Sequence, residues 1–363
     1  MMMRNVIYAA AVLCLLAGCG KEAPSHGGAD DAIGFRIYTP EVSSKAEVTQ
    51  ENLRSTSDVK VYVYETVNNI FDKALLTPET DGTLYTGRWM TSPVRSWTDY
   101  EGRRTSFHAL AYSPADAEGN GLTVSAKGLQ IQVAQPKEYD ATGTGNIDYL
   151  LSYTVPVEPE VKPKPLVALD MEHAMAKVEV YVCCADAMVD NATHEIEVTL
   201  TGLTFRNIYH SATLTCQNHR TAAGTGTNYW TVGGYGAADA VYSLPEDVEV
   251  LPKSDDISEN LVMDFIAIPV DRADMGSGYV MNVEYRVRVT DRTTGQVQEA
   301  DFSSDFRLSA YTDGWHNAHK VRYELLIDSG ISLTGTITDW VEVDFVEGVV
   351  LPEIKEDETN EGQ

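Results

Sequence analysis

The chain has 363 residues, 43% of them hydrophobic, and 54 acidic side chains outnumber 27 basic ones to give a net charge of −27. That much apolar material excludes a wholly disordered chain, and the length predicts about two domains. The acidity excludes nucleic acid as a partner and docking on anionic membrane through a basic face, because both need clustered Lys and Arg.

The first residues set the compartment. Met1 to Asn5 carries one cation, Arg4, and Val6 to Leu16 is an unbroken run of small and apolar residues. The run is shorter than the ~20 residues a bilayer crossing needs and suits the apolar core of a signal peptide. It ends in Leu16-Ala17-Gly18-Cys19, which resembles a bacterial lipobox. The resemblance implies cleavage between Gly18 and Cys19 and acylation of the Cys19 thiol; an ordinary signal peptide with an incidental Cys is the alternative. Several acyl chains hold a protein far more firmly than one, so the expected location is the outer membrane, at the cell surface, through a lipid anchor. Residues 19–32 are polar, contain glycine and lack apolar periodicity, so they read as a flexible tether.

Period-two alternation dominates the rest. Val59, Val61 and Val63 alternate with Lys60, Tyr62 and Tyr64; Ile196, Val198 and Leu200 alternate with Glu195, Glu197 and Thr199. Val283, Tyr285, Val287 and Val289 alternate with polar residues, as do Val321, Tyr323, Leu325 and Ile327. Each run has one apolar and one polar face, as half-solvated antiparallel strands do. Asp81-Gly82, Asn120-Gly121 and Asp313-Gly314 supply turn signals between runs. No stretch of about ten residues has clean helical spacing, so the predicted class is all-β, with two β-sandwich domains in tandem. Four prolines between Pro156 and Pro165 read as an extended connector. The predicted domains are therefore residues 33–165 and 166–350, followed by an acidic tail at 351–363.

Motifs for catalysis are missing. The sequence holds no G-x-S-x-G, H-E-x-x-H, phosphate loop or dinucleotide fingerprint in the usual context. His316 and His319 would suit a metal on a helix, but the alternation that follows them predicts a strand. Asp140 to Gly145 is a loose calcium-loop match whose twelfth position is Leu151 instead of Glu. Asn191-Ala-Thr193 fits a glycosylation sequon. Cys14 leaves with the signal peptide, and Cys183, Cys184 and Cys216 remain after Cys19. Neighbours on a strand point to opposite faces, so at most one of Cys183 and Cys184 is placed to pair with Cys216; buried free thiols are the alternative. The expectation is a binding or structural protein with no metal, cofactor or catalytic residue.

Several segments in order resemble the fimbrillin-like family, the Mfa-like lipoprotein subunits of type V pili. They are Thr105 to Pro114, Asn146 to Leu151, Pro165 to Val178 (PLVALDMEHAMAKV), Leu200 to Phe205, Val250-Leu-Pro252 and Ile337 to Trp340. Pro165 to Val178 is the most specific. His173 within it reads as a structural residue, Ala174, Ala176 and Val178 as the small inward side of a strand, and Trp340 as closing a second core beside Ile337.

The resemblance implies two transthyretin-like β-sandwich domains and assembly by strand exchange with other fimbrial subunits. In that scheme a protease removes an N-terminal strand, and the groove so exposed takes a strand from the C-terminus of the next subunit. Ala32 to Tyr38 matches the removable strand. Cleavage is expected after Arg54, or after Lys45. Val341, Val343, Phe345, Val349 and Leu351 are the candidate donor residues, within reach because 23 residues follow Trp340. The acidic ending departs from an apolar one and points to a tip or anchor subunit. A glycan-binding surface lipoprotein with a host or bacterial ligand is the alternative, motivated by five Trp and 19 Tyr.

Overall fold

A computed structural model describes residues 31–38, 60–67, 70–81, 84–100, 106–113, 123–125, 128–139, 141, 146–153, 166–217, 230–254, 257–328 and 330–339. The strands in chain order are β1 (Gly34–Tyr38), β2 (Lys60–Val67), β3 (Ile70–Asp81), β4 (Leu84–Ser92), β5 (Ser106–Ser113), β6 (Thr123–Ser125), β7 (Gly128–Ala134) and β8 (Asp148–Tyr153). Next come β9 (Val167–Asp170), β10 (Glu172–His173), β11 (Ala176–Cys184), β12 (His194–Ile208), β13 (Ser211–Gln217), β14 (Trp230–Tyr235), β15 (Ala240–Ser243) and β16 (Val248–Glu249). The last are β17 (Leu261–Ala267), β18 (Val270–Asp271), β19 (Val280–Asp291), β20 (Val297–Arg307), β21 (Gly314–Trp315), β22 (His319–Ile327) and β23 (Ile331–Asp339). Among the described residues the one α-helix is the four-residue Arg272–Met275. The protein is all-β, as the alternation predicts.

Eight strands form one sheet in the order β10-β8-β5-β2-β3-β4-β1-β9. β9 and β10 are separated only by Met171, so a single segment, 167–173, lies at both ends of that sheet. Sheet edges expose unpaired backbone, and one continuous segment covers both. Ile33, Phe35, Ile37, Leu76, Trp89, Trp97, Phe107, Ala109, Leu150, Val167, Leu169 and Met171 make the first core. Three of these follow the proline-rich segment.

A second core lies between a four-stranded sheet, β17-β11-β22-β23, and the sheet β15-β12-β19-β20 with β16 added to β12. Its centre is aromatic. Phe265 meets Phe205, Tyr242 and Trp315 edge-on at 5.2, 4.9 and 5.8 Å, and the Trp315 indole donates to the Tyr323 hydroxyl at 2.9 Å. Val198 and Leu200 are buried and Ile196 partly so, as their alternation predicts. The pairing of β12 with β19 slips between Leu200 and Gly202, a bulge in the long strand. The Asp313-Gly314 turn signal is also explained: Gly314 has φ +141°, and a Cβ there would lie 2.6 Å from the Val270 carbonyl.

The remaining larger sheet, β14-β13-β7-β6, takes two strands from before the proline-rich segment and two from after it. Ser211 to Gln217 pair with Ala134 to Gly128. Strands on either side of residue 165 are therefore joined by backbone hydrogen bonds. Cys183 and Cys184 are free thiols, so neither forms the disulfide with Cys216 left open by the sequence. Burial pushes both thiols above their ordinary range.

β11 begins at Ala176, and Ala174 and Met175 lie in the bend before it instead of in the strand. It is central in its sheet and buried on both faces. Ala176, Val178 and Val180 enter the second core, while Lys177, Glu179 and Tyr181 are 4, 3 and 8% exposed. Glu179 anchors a buried ion cluster on that other face. Its carboxylate lies 3.3 Å from the ammonium groups of both Lys177 and Lys320, 3.8 Å from Arg322, and accepts from the Tyr181 hydroxyl at 3.0 Å. Burial pushes the nearby Asp264 carboxyl above its ordinary range; Lys177 and Lys320 oppose the shift and Glu179 adds to it.

Removing one member of a buried ion cluster leaves its partners uncompensated and costs about 3–5 kcal/mol. Glu179→Gln is expected to lose that much in chemical denaturation at pH 7. Asp264 has the opposite sign. Its folded form holds the proton more tightly than the unfolded chain, so its contribution to stability falls as pH rises through the carboxylate range. Asp264→Asn is expected to be neutral or stabilising at pH 7, with its advantage over the natural chain growing between pH 4 and pH 7.

Candidate assembly site at the N-terminal strand

β1 has a partner on each side. It pairs antiparallel with β4, Gly34 opposite Met90 and Phe35 opposite Trp89. It pairs parallel with β9, Phe35 to Tyr38 matching Val167 to Asp170. The segment Ala32 to Tyr38, matched to the removable strand through the family resemblance, contains β1 and is largely buried. Ile33, Phe35 and Ile37 are 0, 0 and 2% exposed, whereas Arg36 is exposed. The Phe35 ring meets Phe107 edge-on at 5.2 Å, and Trp97 meets Phe107 at 6.3 Å.

The approach to β1 is fastened as well. The Asp31 carboxylate accepts from the Ser96 hydroxyl, the Thr98 hydroxyl and the Thr98 amide, at the start of the 3-10 turn Trp97–Tyr100. The Ile33 amide donates to the Arg95 carbonyl at 2.9 Å, and Arg88 Nη2 donates to the Ala32 carbonyl at 2.9 Å. Asp31 and Ala32 fall in the stretch read as a tether, yet each is held by hydrogen bonds to residues 88–98.

A second feature lies where the segment 167–173 crosses to the other end of the sheet. His173, in β10, and Asp148, in β8, are both fully buried, with His173 Nδ1 at 3.1 and 3.0 Å from the two carboxylate oxygens. Their strands pair at His173 and Leu150. The sequence reading takes His173 as a structural residue and does not foresee its contact with Asp148. The available signal was that the two residues sit in two separate motif segments, Asn146 to Leu151 and Pro165 to Val178.

The other predicted site residues are not brought together here. Gly18, Cys19, Lys45, Arg54, Trp340, Val341, Val343, Phe345, Val349 and Leu351 lie outside the described residues, as does most of Asp140 to Gly145. His316 and His319 stand in the turn into β22 and at its first residue, with rings meeting edge-on at 5.9 Å. Among the described residues no three His, Cys, Asp or Glu side chains are grouped to hold a metal. The Asn191 side chain accepts from the Thr193 and His194 amides in a loop.

The model of the fimbrillin-like family matches residues 45–340. The chain belongs to the fimbrillin-like family. That membership supports a fimbrial subunit role at the cell surface. Among solved structures, a fimbrial protein from Bacteroides vulgatus is similar with a TM-score of 0.56 at 13% identity, over 86% of this chain and 100% of that one. A candidate cell adhesion protein from Bacteroides uniformis follows at a TM-score of 0.44 and 14% identity, over 85% and 99% of the two chains. No curated protein matches the sequence. At such identities the likeness to solved structures is one of fold.

In this fimbrillin-like chain the packing of β1 makes a direct prediction. Removing a buried aromatic ring costs about 3–5 kcal/mol, while exposed positions usually change stability by less than about 0.5 kcal/mol. Phe35→Ala is expected to show the larger loss and Arg36→Ala the smaller, read by denaturant unfolding of the full chain.

Proposed function

We propose that this protein is a fimbrial subunit exported as a lipoprotein on Cys19 and assembled by exchange of its N-terminal strand. Proteolysis after Arg54 or Lys45 severs the single connection between β1 and β2. The strand then leaves, and a strand from the C-terminal region of another subunit takes its place by β-augmentation. The observation that carries this reading is the position of β1, buried between β4 and β9 with Phe35 and Ile37 in the first core. Its loss would bare two rows of backbone hydrogen-bonding groups and an apolar slot, which a second strand satisfies. The acidic C-terminal residues fit a tip or anchor subunit.

Limited trypsin treatment of the full chain is expected to convert monomer into SDS-resistant ladders, and Arg54→Gln combined with Lys45→Gln is expected to leave it monomeric. Natural chain that stays monomeric after confirmed cleavage would overturn the reading.

A glycan-binding reading draws on a different place. A groove of about 370 Å³ is lined by Met188, Val287, Ala300, Asp328 and the stacked rings of Tyr285 and Phe302, 4.9 Å apart at 15°. Phe302 is 45% exposed, and an exposed ring beside a carboxylate is a surface on which a sugar can stack. On this reading neutral polysaccharides retard the protein in affinity electrophoresis, and Phe302→Ala abolishes the retardation. Equal mobility with and without polysaccharide would remove it.

A further inference from the structure

We propose that the free edge of β20 is a docking site for another protein, which adds to it an extended segment of alternating apolar and basic residues. The site belongs to the second core and does not depend on the exchange of β1.

β20 ends the sheet β15-β12-β19-β20, and among the described strands β19 is its one ladder partner. Of its 11 residues only Ser304 and Phe306 are not exposed, so its outer line of amides and carbonyls meets water. In the pairing with β19, Met281 lies opposite Phe306, Tyr285 opposite Phe302 and Val287 opposite Ala300. Side chains directly opposite share a face, and burial along this inner row falls in one direction. Met281 and Phe306 are 0 and 8% exposed, Tyr285 and Phe302 are 4 and 45%, and Ala300 is exposed. The core therefore covers the row only as far as Tyr285. Beyond it the underside of the two strands is the groove of about 370 Å³, lined also by Met188 and Asp328.

A strand added to the edge of β20 would send every second side chain into this groove, beside Phe302 and Ala300, and the others onto the opposite face. On that face β20 carries Glu299, Asp301 and Asp305. Glu299 and Asp301 share Arg286 at 3.1 and 2.8 Å, yet their side chains stay 47 and 70% exposed. Three carboxylates against Arg286 leave the middle of the row acidic, and Arg307 stands only at its end. Lysine or arginine is the complement. The same charges oppose a second copy of β20. An antiparallel pair centred on Phe302 sets Glu299 against Asp305, and one centred on Ala300 sets Glu299 against Asp301; like charges directly opposite are destabilising. A peptide strand uses both the groove and the free backbone groups beside it, whereas a sugar stacked on Phe302 uses only the groove.

The test uses the uncut full chain and fluorescent synthetic peptides. Binding is read by anisotropy at about 0.15 M salt, where charges farther apart than about 8 Å are largely screened. A peptide of alternating valine and lysine is expected to bind and to slow hydrogen exchange in residues 297–307. Peptides with glutamate in place of lysine, or serine in place of valine, are expected to bind at least about tenfold more weakly. Glu299→Lys combined with Asp301→Lys, at two exposed positions, is expected to reverse the preference between the lysine and glutamate peptides. Failure of the valine–lysine peptide to bind, equal binding of all three peptides, or binding without slower exchange at 297–307 overturns the proposal. Self-association lost in Phe302→Ala would assign the edge to a second copy. Capture of neutral polysaccharide but of no peptide would assign the groove to a sugar, and either result overturns the proposal as well.

Discussion

The structure of the first core depends on a strand of five residues that is paired on both sides. β1 is antiparallel to β4 and parallel to β9, and among the described strands it is β9's one ladder partner. Parallel neighbours cannot be joined by a tight turn, so they need a long connection. Here the parallel pair comes from opposite ends of the first core, residues 34–38 and 167–170. The sheet is completed by two segments separated by well over a hundred residues of chain. That makes β1 the element on which the remainder of the eight-stranded sheet converges.

The segment 167–173 extends that dependence to the rest of the molecule. It leaves β1, passes through buried Met171, and ends on β8, where His173 Nδ1 meets the Asp148 carboxyl away from water. It then continues within a few residues into β11, the strand buried on both faces of the second core. The most specific stretch of the family resemblance, Pro165 to Val178, therefore marks a junction. Val167 and Leu169 pack in one core, Ala176 and Val178 pack in the other, and His173 ties down the crossing between them. A residue series of that kind need not carry chemistry to be constrained, because each position meets a different neighbour at close quarters.

How much of this was legible in the sequence follows from the range of each interaction. β12, β19 and β22 declare themselves, because Val198 and Leu200, or Val321, Tyr323 and Leu325, alternate along a few residues of chain. Ala32 to Tyr38 is picked out instead by the family resemblance. The neighbours of β1 are not, since nothing local in Leu84 to Ser92 or Val167 to Asp170 tells which strand they flank. Nor is the pairing of β7 with β13 across the proline-rich segment, where composition marks a boundary that backbone hydrogen bonds cross. Lys177 and Glu179 mislead in another way. Their charges suit a solvated face, yet both are buried, with the Glu179 carboxylate shared between the Lys177 and Lys320 ammonium groups. The residues proposed for processing and donation lie outside the described part of the chain, so their reading stays a matter of sequence and the rules of strand pairing.

The topology also bears on why β1, and not another buried strand, suits exchange. A strand in the middle of a sheet normally has a covalent connection at each end to elements of the same core, and replacing it means threading a loop. β1 is central in its sheet but joins the described fold through one connection, residues 39–59. Cutting that connection leaves β1 held by its ladders with β4 and β9 but no longer joined covalently to β2. For a flexible linker the advantage of being joined amounts to an effective concentration in the millimolar range. On the strand-exchange reading proposed above, a competing strand attached to a neighbouring subunit would regain that advantage once the two subunits are held together. On the same reading, the direction of assembly would then follow from which strand is tethered.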